Sequence, residues 1–349
     1  MSTPHADVDD ADRLALVKLS SAIQPGDLRV TGLVGELGAV KVLDYLEAAG
    51  EVENHWGFGI GQELARADSA RLLEQAAVTG IRFIIPGDPE WPDRLAGLRD
   101  AGALHERGGE PVGLWVRGAG DLTQLGANAV AVVGSRAATD YGMHQATELS
   151  RELTATGHTV VSGLAYGVDQ AAHRGALVAG RPTIAVLPGG VDRPYPATHA
   201  QLLEAIAERG LVVAEAPPGT APTRARFLAR NRVVAGLSEG TVVVEAALRS
   251  GALNTAHWTT NLNRPVMGVP GPVSSAASTG VNQLVRLGHA SMVTSAQDVI
   301  TDLTTHANAA ATSADGASGE FDESFIPGPV SSMRSGVPGS VAPVAAPRR

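Results

Sequence analysis

Six times between residues 130 and 272 a short apolar run stops in a turn rich in Gly, Pro or Ser. The runs are 129–133 before Gly134-Ser135-Arg136, 159–161 before Ser162-Gly163, and 183–187 before Pro188-Gly189-Gly190. They continue with 211–214 before Glu215, 241–244 before Glu245, and 266–269 before Pro270. Helix-length segments separate them. Continuous β-branched runs in this rhythm are strands of a parallel sheet covered on both faces. Ligands of such sheets bind at the carboxyl ends of the strands, where these turns gather. The expected fold class is α/β, with a doubly wound, mostly parallel sheet.

The flanks read differently. Residues 11–24 and 62–80 carry apolar positions at helical spacing, and 34–49 resembles a third helix. Gly32, Gly35, Gly38 and Gly50 punctuate them, so a small helical N-terminal domain is expected over residues 1–80. The connecting segment 81–114 reads as a strand, a proline-rich turn and a short helix, with an edge strand expected at 112–116. The main domain is expected over 115–305, with helices near 140–156, 167–179, 197–209, 226–236, 246–262 and 279–288. From 306 to 349 the composition shifts to Ala, Ser, Gly and Pro, with Phe321, Phe325 and Ile326 among the few large apolar residues. Such a segment buries too little surface to offset chain entropy and reads as a disordered tail.

A formal charge of −9 argues against nucleic acid until its distribution is considered. Residues 1–114 carry −9 and residues 301–349 carry −2, whereas residues 115–300 carry +2, and all 14 cations of that middle stretch are Arg. The absence of cysteine excludes disulfides and thiolate metal sites and fits a cytoplasmic protein. No apolar stretch approaches the roughly 20 residues of a membrane span, and the polar, acidic start is unlike a signal peptide. Neither a P-loop, a GxGxxG opening the first unit, HExxH nor a GxSxG elbow is present, so no metal or cofactor is expected.

The turns supply the candidate chemistry. Gly134, Ser135 and Arg136 follow a strand and open a helix, where the backbone can approach an anion and the arginine can reach a phosphate. Gly163 and Gly167 bracket the next turn. Asp169 and His173 then share a helical face at i, i+4; with no third ligand for a metal, Asp169 caps the helix or orients His173, and both pack beneath the loop and shape the pocket. Gly189 and Gly190 can form an anion nest or a permissive turn, and Asp192 and Tyr195 stand beside them. The strongest electrostatic signal is Arg224, Arg226, Arg230 and Arg232, within nine residues and with no intervening acid, with Phe227 and Asn231 among them. Glu245 ends a strand, where a carboxylate can act as a base, bind a ribose hydroxyl, or bond to a neighbouring turn. Ser250 and Gly251 open the helix after it. Together these features favour phosphodiester binding.

Read in series, AVVGSRAATDYG, VVSGLAYGVDQAAHRGAL, AVLPGGVDRPYPATH, VVAEAPPGTAPTRARFLARNRVVAGLS, VVVEAALRSGALNTA and VPGPVSSAASTGVNQLVRLGHA closely resemble the DNA-processing protein A family (DprA, also called Smf) over about 130–290. IIPGDPEWPDRL and GLWVRGAGDL extend the likeness upstream. The resemblance implies an extended Rossmann-like domain that binds single-stranded DNA, acts as a homodimer without catalysis, and helps load RecA recombinase during natural transformation. By position it carries Arg136 and the segment Arg230-Asn231-Arg232 into the DNA groove. Taken with the turns and the arginine cluster, DNA binding is expected at Gly134, Ser135, Arg136, Ser162, Gly163, Gly167, Gly189, Gly190, Arg224, Arg226, Phe227, Arg230, Asn231 and Arg232, with Tyr141 or Tyr166 as further stacking candidates. Leu228 stands where the family often has proline, HWTTNLNRP (257–265) is unusual for its stretch, and the segment after 306 is too short and polar for the winged helix of many relatives. A rival reading is a nucleotide-processing enzyme like the phosphoribohydrolases. Those carry PGGxGTxxE, where this chain reads PGGVDRPYP and leaves Glu245 as the substitute carboxylate.

Overall fold

The computed structural model describes residues 10–53 and 55–316. Five helices come first: α1 (Asp10–Ala22), α2 (Leu28–Leu37), α3 (Ala39–Ala49), α4 (Phe58–Leu64) and α5 (Ser69–Val78). The single helix expected over 34–49 is broken because Gly38 adopts φ 85°, ending α2 and starting α3. The one expected over 62–80 is interrupted before Asp68, whose carboxylate caps α5 by accepting from the Arg71 amide. Such a cap satisfies an amide that a continuous helix would leave to the preceding turn.

A nine-stranded sheet follows. Its strands are β1 (Ile81–Ile84), β4 (Leu114–Arg117), β5 (Ala129–Val133), β6 (Thr159–Ser162), β7 (Thr183–Leu187), β8 (Leu211–Ala214), β9 (Gly240–Val243), β10 (Val266–Gly268) and β11 (Ser291–Met292). A small antiparallel hairpin, β2 (Ala103–Leu104) with β3 (Arg107–Gly108), stands apart from it. The sheet order is β1-β4-β8-β7-β6-β5-β9-β10-β11. All six expected runs are strands, and they pair in parallel from β8 through β10. The strand near 112–116 is not an edge: β4 lies between β8 and β1, antiparallel to both. Phe83 on β1 packs on the Trp115 ring at 4.7 Å, which gives the outer strand an apolar anchor.

Helices α6 (Leu122–Gly126), α7 (Asp140–Ala155), α8 (Val168–Val178), α9 (Ala200–Arg209), α10 (Arg224–Leu237), α11 (Ala252–Asn261), α12 (Thr279–Arg286) and α13 (Ala296–Gly316) complete the fold. Alternation along the strands divides the core. Ala129, Ala131 and Val133 of β5 pack with α10 and α11, while Val130 and Val132 pack with α7 and α8. This two-sided covering is the doubly wound arrangement the buried runs require.

The chain divides into two units, residues 1–307 and 308–349. Of the second, the described residues 308–316 are helical, within α13. That helix occupies the first eleven residues of the segment read as a tail, where alanine-rich sequence favours a helix. The remainder, 317–349, lies outside the described residues.

Candidate nucleic-acid interface

The strand order reverses between β5 and β9: the chain leaves β5 toward β6 on one side, and β9 sits on the other. The crevice beyond their carboxyl ends is the natural ligand position of such a sheet. Here the three turns after β5, β6 and β9 are fused. The Ser135 amide donates to the Glu245 carbonyl (2.6 Å), and the Val168 amide donates to the Ser135 carbonyl (3.2 Å). Gly167 has φ 77°, and a Cβ there would run into the Ser135 carbonyl. A Cβ at Gly134 would meet the Glu245 carbonyl at 2.8 Å. These glycines join turns to one another.

Glu245 belongs to that joint. It is 1% exposed and accepts from the Thr139 amide (2.8 Å) and the Thr139 hydroxyl (2.7 Å). Of its three readings from sequence, the structure shows the bond to a neighbouring turn.

In front of the joint opens a cleft of ≈ 760 Å³. Arg136, Arg224, Arg230 and Arg249 line it, and among the described residues Asp169 is the one lining carboxylate. Gly134, Ser135, Asn231, Ser250, Gly251 and Tyr195 are among the polar and turn residues that line it as well. Exposed Arg136 lies over the Phe227 ring at 4.5 Å, and Tyr195 meets the same ring edge-on at 5.3 Å. An aromatic face with a guanidinium on it offers stacking and charge in one place. Arg224 is exposed at the first position of α10, which Thr223 caps by accepting from the Arg226 amide (3.3 Å). Asn231 donates to the Asn254 side chain at 3.1 Å, which ties α10 to α11.

Arg230 is the buried member of the set, 7% exposed, with Nη1 donating to the Val186 carbonyl (3.0 Å). Its guanidinium lies directly against Gly163, where any Cβ would overlap it. Burial brings its pKa down to about 10, with Arg136 acting in the same direction and Asp169 opposing. Burial raises the Asp169 carboxyl, while the charges of Arg230 and Arg136 hold it back. Asp169 accepts from the Ala165 amide (3.3 Å), bracing the turn before its own helix. His173 does not engage Asp169. Its Nδ1 bonds the Thr183 hydroxyl (2.9 Å), which itself donates to the Val160 carbonyl (2.7 Å), so Nδ1 carries the proton. Burial, then Arg230 and His199, pushes this imidazole down to about 3, so it is neutral and internal.

Several candidates from sequence stand elsewhere. Arg232 is fully buried, bidentate with Glu215 (2.7 Å on each arm), and donates Nε to the Gly108 carbonyl (3.2 Å). The acid absent from its sequence neighbourhood comes from the end of β8, so this guanidinium is committed to the interior. Arg226 is half-buried outside the cleft and donates to the Ala221 carbonyl (2.8 Å). Gly189 and Gly190 are not an open nest: the Gly190 amide donates to the Thr220 carbonyl (3.0 Å) and Asp192 accepts from the Gly219 amide (2.8 Å). The hydroxyl of Ser162 donates to the Val132 carbonyl (2.6 Å). Tyr141 bonds the Pro270 carbonyl and Tyr166 the Thr198 hydroxyl, and neither lines the cleft. The residue that sequence reading passed over is Arg249. Its signal was its place beside Ser250 and Gly251 at a helix start. Among the described residues no group of three or more His, Cys, Asp or Glu is arranged to hold a metal, and no helix is long and apolar enough to cross a membrane.

Comparison with known proteins places these features in context. Residues 82–304 match the family model described as DNA recombination-mediator protein A. The chain is 44% identical over 296 residues to the DNA processing protein DprA of Mycobacterium tuberculosis, covering 83% of this chain and 75% of that protein. The DNA processing protein A structure from Streptococcus pneumoniae superposes with a TM-score of 0.67 at 29% identity, covering 84% of this chain and 98% of that one. A second structure, of the Helicobacter pylori protein and described for its single-stranded DNA binding mode, gives 0.55 at 29% identity over 64% of this chain and 96% of that one.

Proposed function

Since the chain belongs to the DNA recombination-mediator protein A family, the DprA/Smf proteins, we propose that its cleft binds single-stranded DNA without catalysis. The observation that carries this reading is the convergence of four guanidinium groups and one carboxylate on a single cleft at the sheet's switch point. Phosphate contacts from arginines set affinity and register without reading sequence. Phe227 and Tyr195 add a face on which a base can stack, worth roughly 1–3 kcal/mol per base. The chain is 4% aromatic, which leaves few such platforms and little sequence preference.

The proposal extends to the finer roles. The bound strand is handed to RecA recombinase during DNA uptake and recombination, and the binding species is a homodimer in the cytoplasm. The family's description as a recombination mediator supports the hand-over. Against the phosphoribohydrolase reading stands Glu245, sealed behind the Ser135 turn with both oxygens occupied.

The test is fluorescence anisotropy on single-stranded and duplex oligonucleotides across a salt series. A salt-steep preference for single strands supports the reading, and no binding at low salt sinks it. RecA activity on coated DNA, sedimentation, and assays for free base from nucleoside monophosphates then address loading, dimer and enzyme separately.

A further inference from the structure

Away from the cleft, the N-terminal helices leave one face without a partner. Arg29, Gly32, Leu33, Glu36 and Leu37 fall at i, i+3, i+4, i+7 and i+8 of α2 and so share one side of it, and Val30 is the one residue of that helix fully buried. This side, with Tyr45 of α3 and Trp56 beyond it, lines an apolar groove of ≈ 520 Å³. Leu37 and Tyr45 are 49% and 46% exposed, and Trp56 is 36% exposed while the other three tryptophans are buried. Apolar and aromatic side chains aligned along one helix face are the arrangement that receives an amphipathic helix. At Gly32 and Gly35 a Cβ would meet nothing within 4 Å, so another helix can approach the α2 backbone closely.

Charge selects the occupant. Residues 10–79 hold 11 carboxylates and 6 cations, a net of −5. Arg29, the groove's cation, is already paired with Asp27 (3.0 Å) and rests over the Trp56 ring at 4.8 Å. Among the described residues Glu36 has no ion pair, and Asp44, Glu51 and Glu53 are exposed on α3 and the turn after it. We propose that this groove docks a basic amphipathic helix of a partner protein. Its apolar residues, spaced i, i+3 or i+4, and i+7, enter between Leu33, Leu37, Tyr45 and Trp56, and its Lys or Arg residues meet Glu36 and the neighbouring carboxylates. The same carboxylates repel a nucleic acid and also a second copy of this face.

A display library of random 14-residue helical peptides, panned on the immobilised full-length chain, tests the inference. Enriched peptides are expected to be basic with that apolar spacing, to bind at least tenfold more weakly to Leu37→Asp and about threefold more weakly to Glu36→Lys, and to shift the Trp56 emission. Both variants keep wild-type affinity for an oligo-dT single strand. The proposal is overturned if no peptide is enriched, if the winners are acidic, or if Leu37→Asp binds them equally well. It is equally overturned if oligo-dT shifts the Trp56 emission, which makes the groove a nucleic-acid site. Self-association abolished by Leu37→Asp would give the groove to a second copy and overturn it too.

Discussion

Replacing Gly163 by alanine should unseat a buried arginine while leaving the backbone relaxed. Gly163 is not among the residues with positive φ, so alanine can adopt its conformation. Its new Cβ, however, falls on the Arg230 guanidinium. The residue is 7% exposed and lines the cleft, so the displaced guanidinium moves outward into it and surrenders the bond from Nη1 to the Val186 carbonyl. A hydrogen bond from a charged donor is worth about 1.5–3 kcal/mol. Alanine regains about 0.4–1 kcal/mol by restricting the unfolded chain, so the expected net loss is about 1–2 kcal/mol. In an Arg230→Ala background the obstacle is absent, and the same change should be neutral or slightly stabilising. The assay is a double-mutant cycle by urea denaturation, with oligo-dT anisotropy on all four proteins. A coupling energy of about 1.5–3 kcal/mol is expected, together with weaker DNA binding by Gly163→Ala. Equal costs in both backgrounds, within about 0.5 kcal/mol, would refute the claim that Gly163 exists to seat Arg230.

Arg249→Ala and Arg232→Ala should separate binding from stability: the first lowers the slope of log affinity against log salt by roughly 0.7 and leaves unfolding unchanged. The second leaves the slope alone and costs about 3–5 kcal/mol, because Glu215 loses its buried counter-ion; denaturation and salt titration of each variant check both. His173 has a folded pKa near 3 against an ordinary 6.5, so between those values the unfolded chain binds the extra proton. Its contribution therefore falls as pH drops below about 6.5, with a slope approaching about 1.4 kcal/mol per unit, and is flat above. The raised carboxyl of Asp169 acts with the opposite sign above 3.8, so the readout is the difference between wild type and His173→Asn in thermal unfolding from pH 7 to 4. Phe227→Ala should weaken oligo-dT binding by about 1–3 kcal/mol with no change in the salt slope, as anisotropy at several salt concentrations will show.

Much of the fold is written locally. The runs at 129–133, 159–161, 183–187, 211–214, 241–244 and 266–269 became β5 to β10, because a strand buried on both faces needs an unbroken apolar run and the turn after it needs Gly, Pro or Ser. Where local reading slipped at the N-terminal helices, a single residue decided: Gly38 split one helix and Asp68 capped another later than expected. The helix expected from 246 begins only at Ala252, and the segment before it lines the cleft. β11 is two exposed residues with no apolar run to announce it.

The site was half legible. The turn bearing Arg136 and the cluster with Arg224 and Arg230 pointed to one cleft, but four arginines in nine residues look alike in a sequence. Their roles diverge because α10 is covered nearly all round: Arg224 sits at its exposed start, Arg230 rests on Gly163 of another turn, and Arg232 meets Glu215 from a different strand. By itself the sequence determined the strands, the parallel sheet and the family motifs, since period and turn chemistry act over a few residues. The tertiary structure alone decided which charges face the cleft, which glycines serve packing, and that Arg249 lines the same cleft as Arg136. The reason is physical: those outcomes depend on strand order, and the reversal between β5 and β9 brings together groups that no local pattern relates.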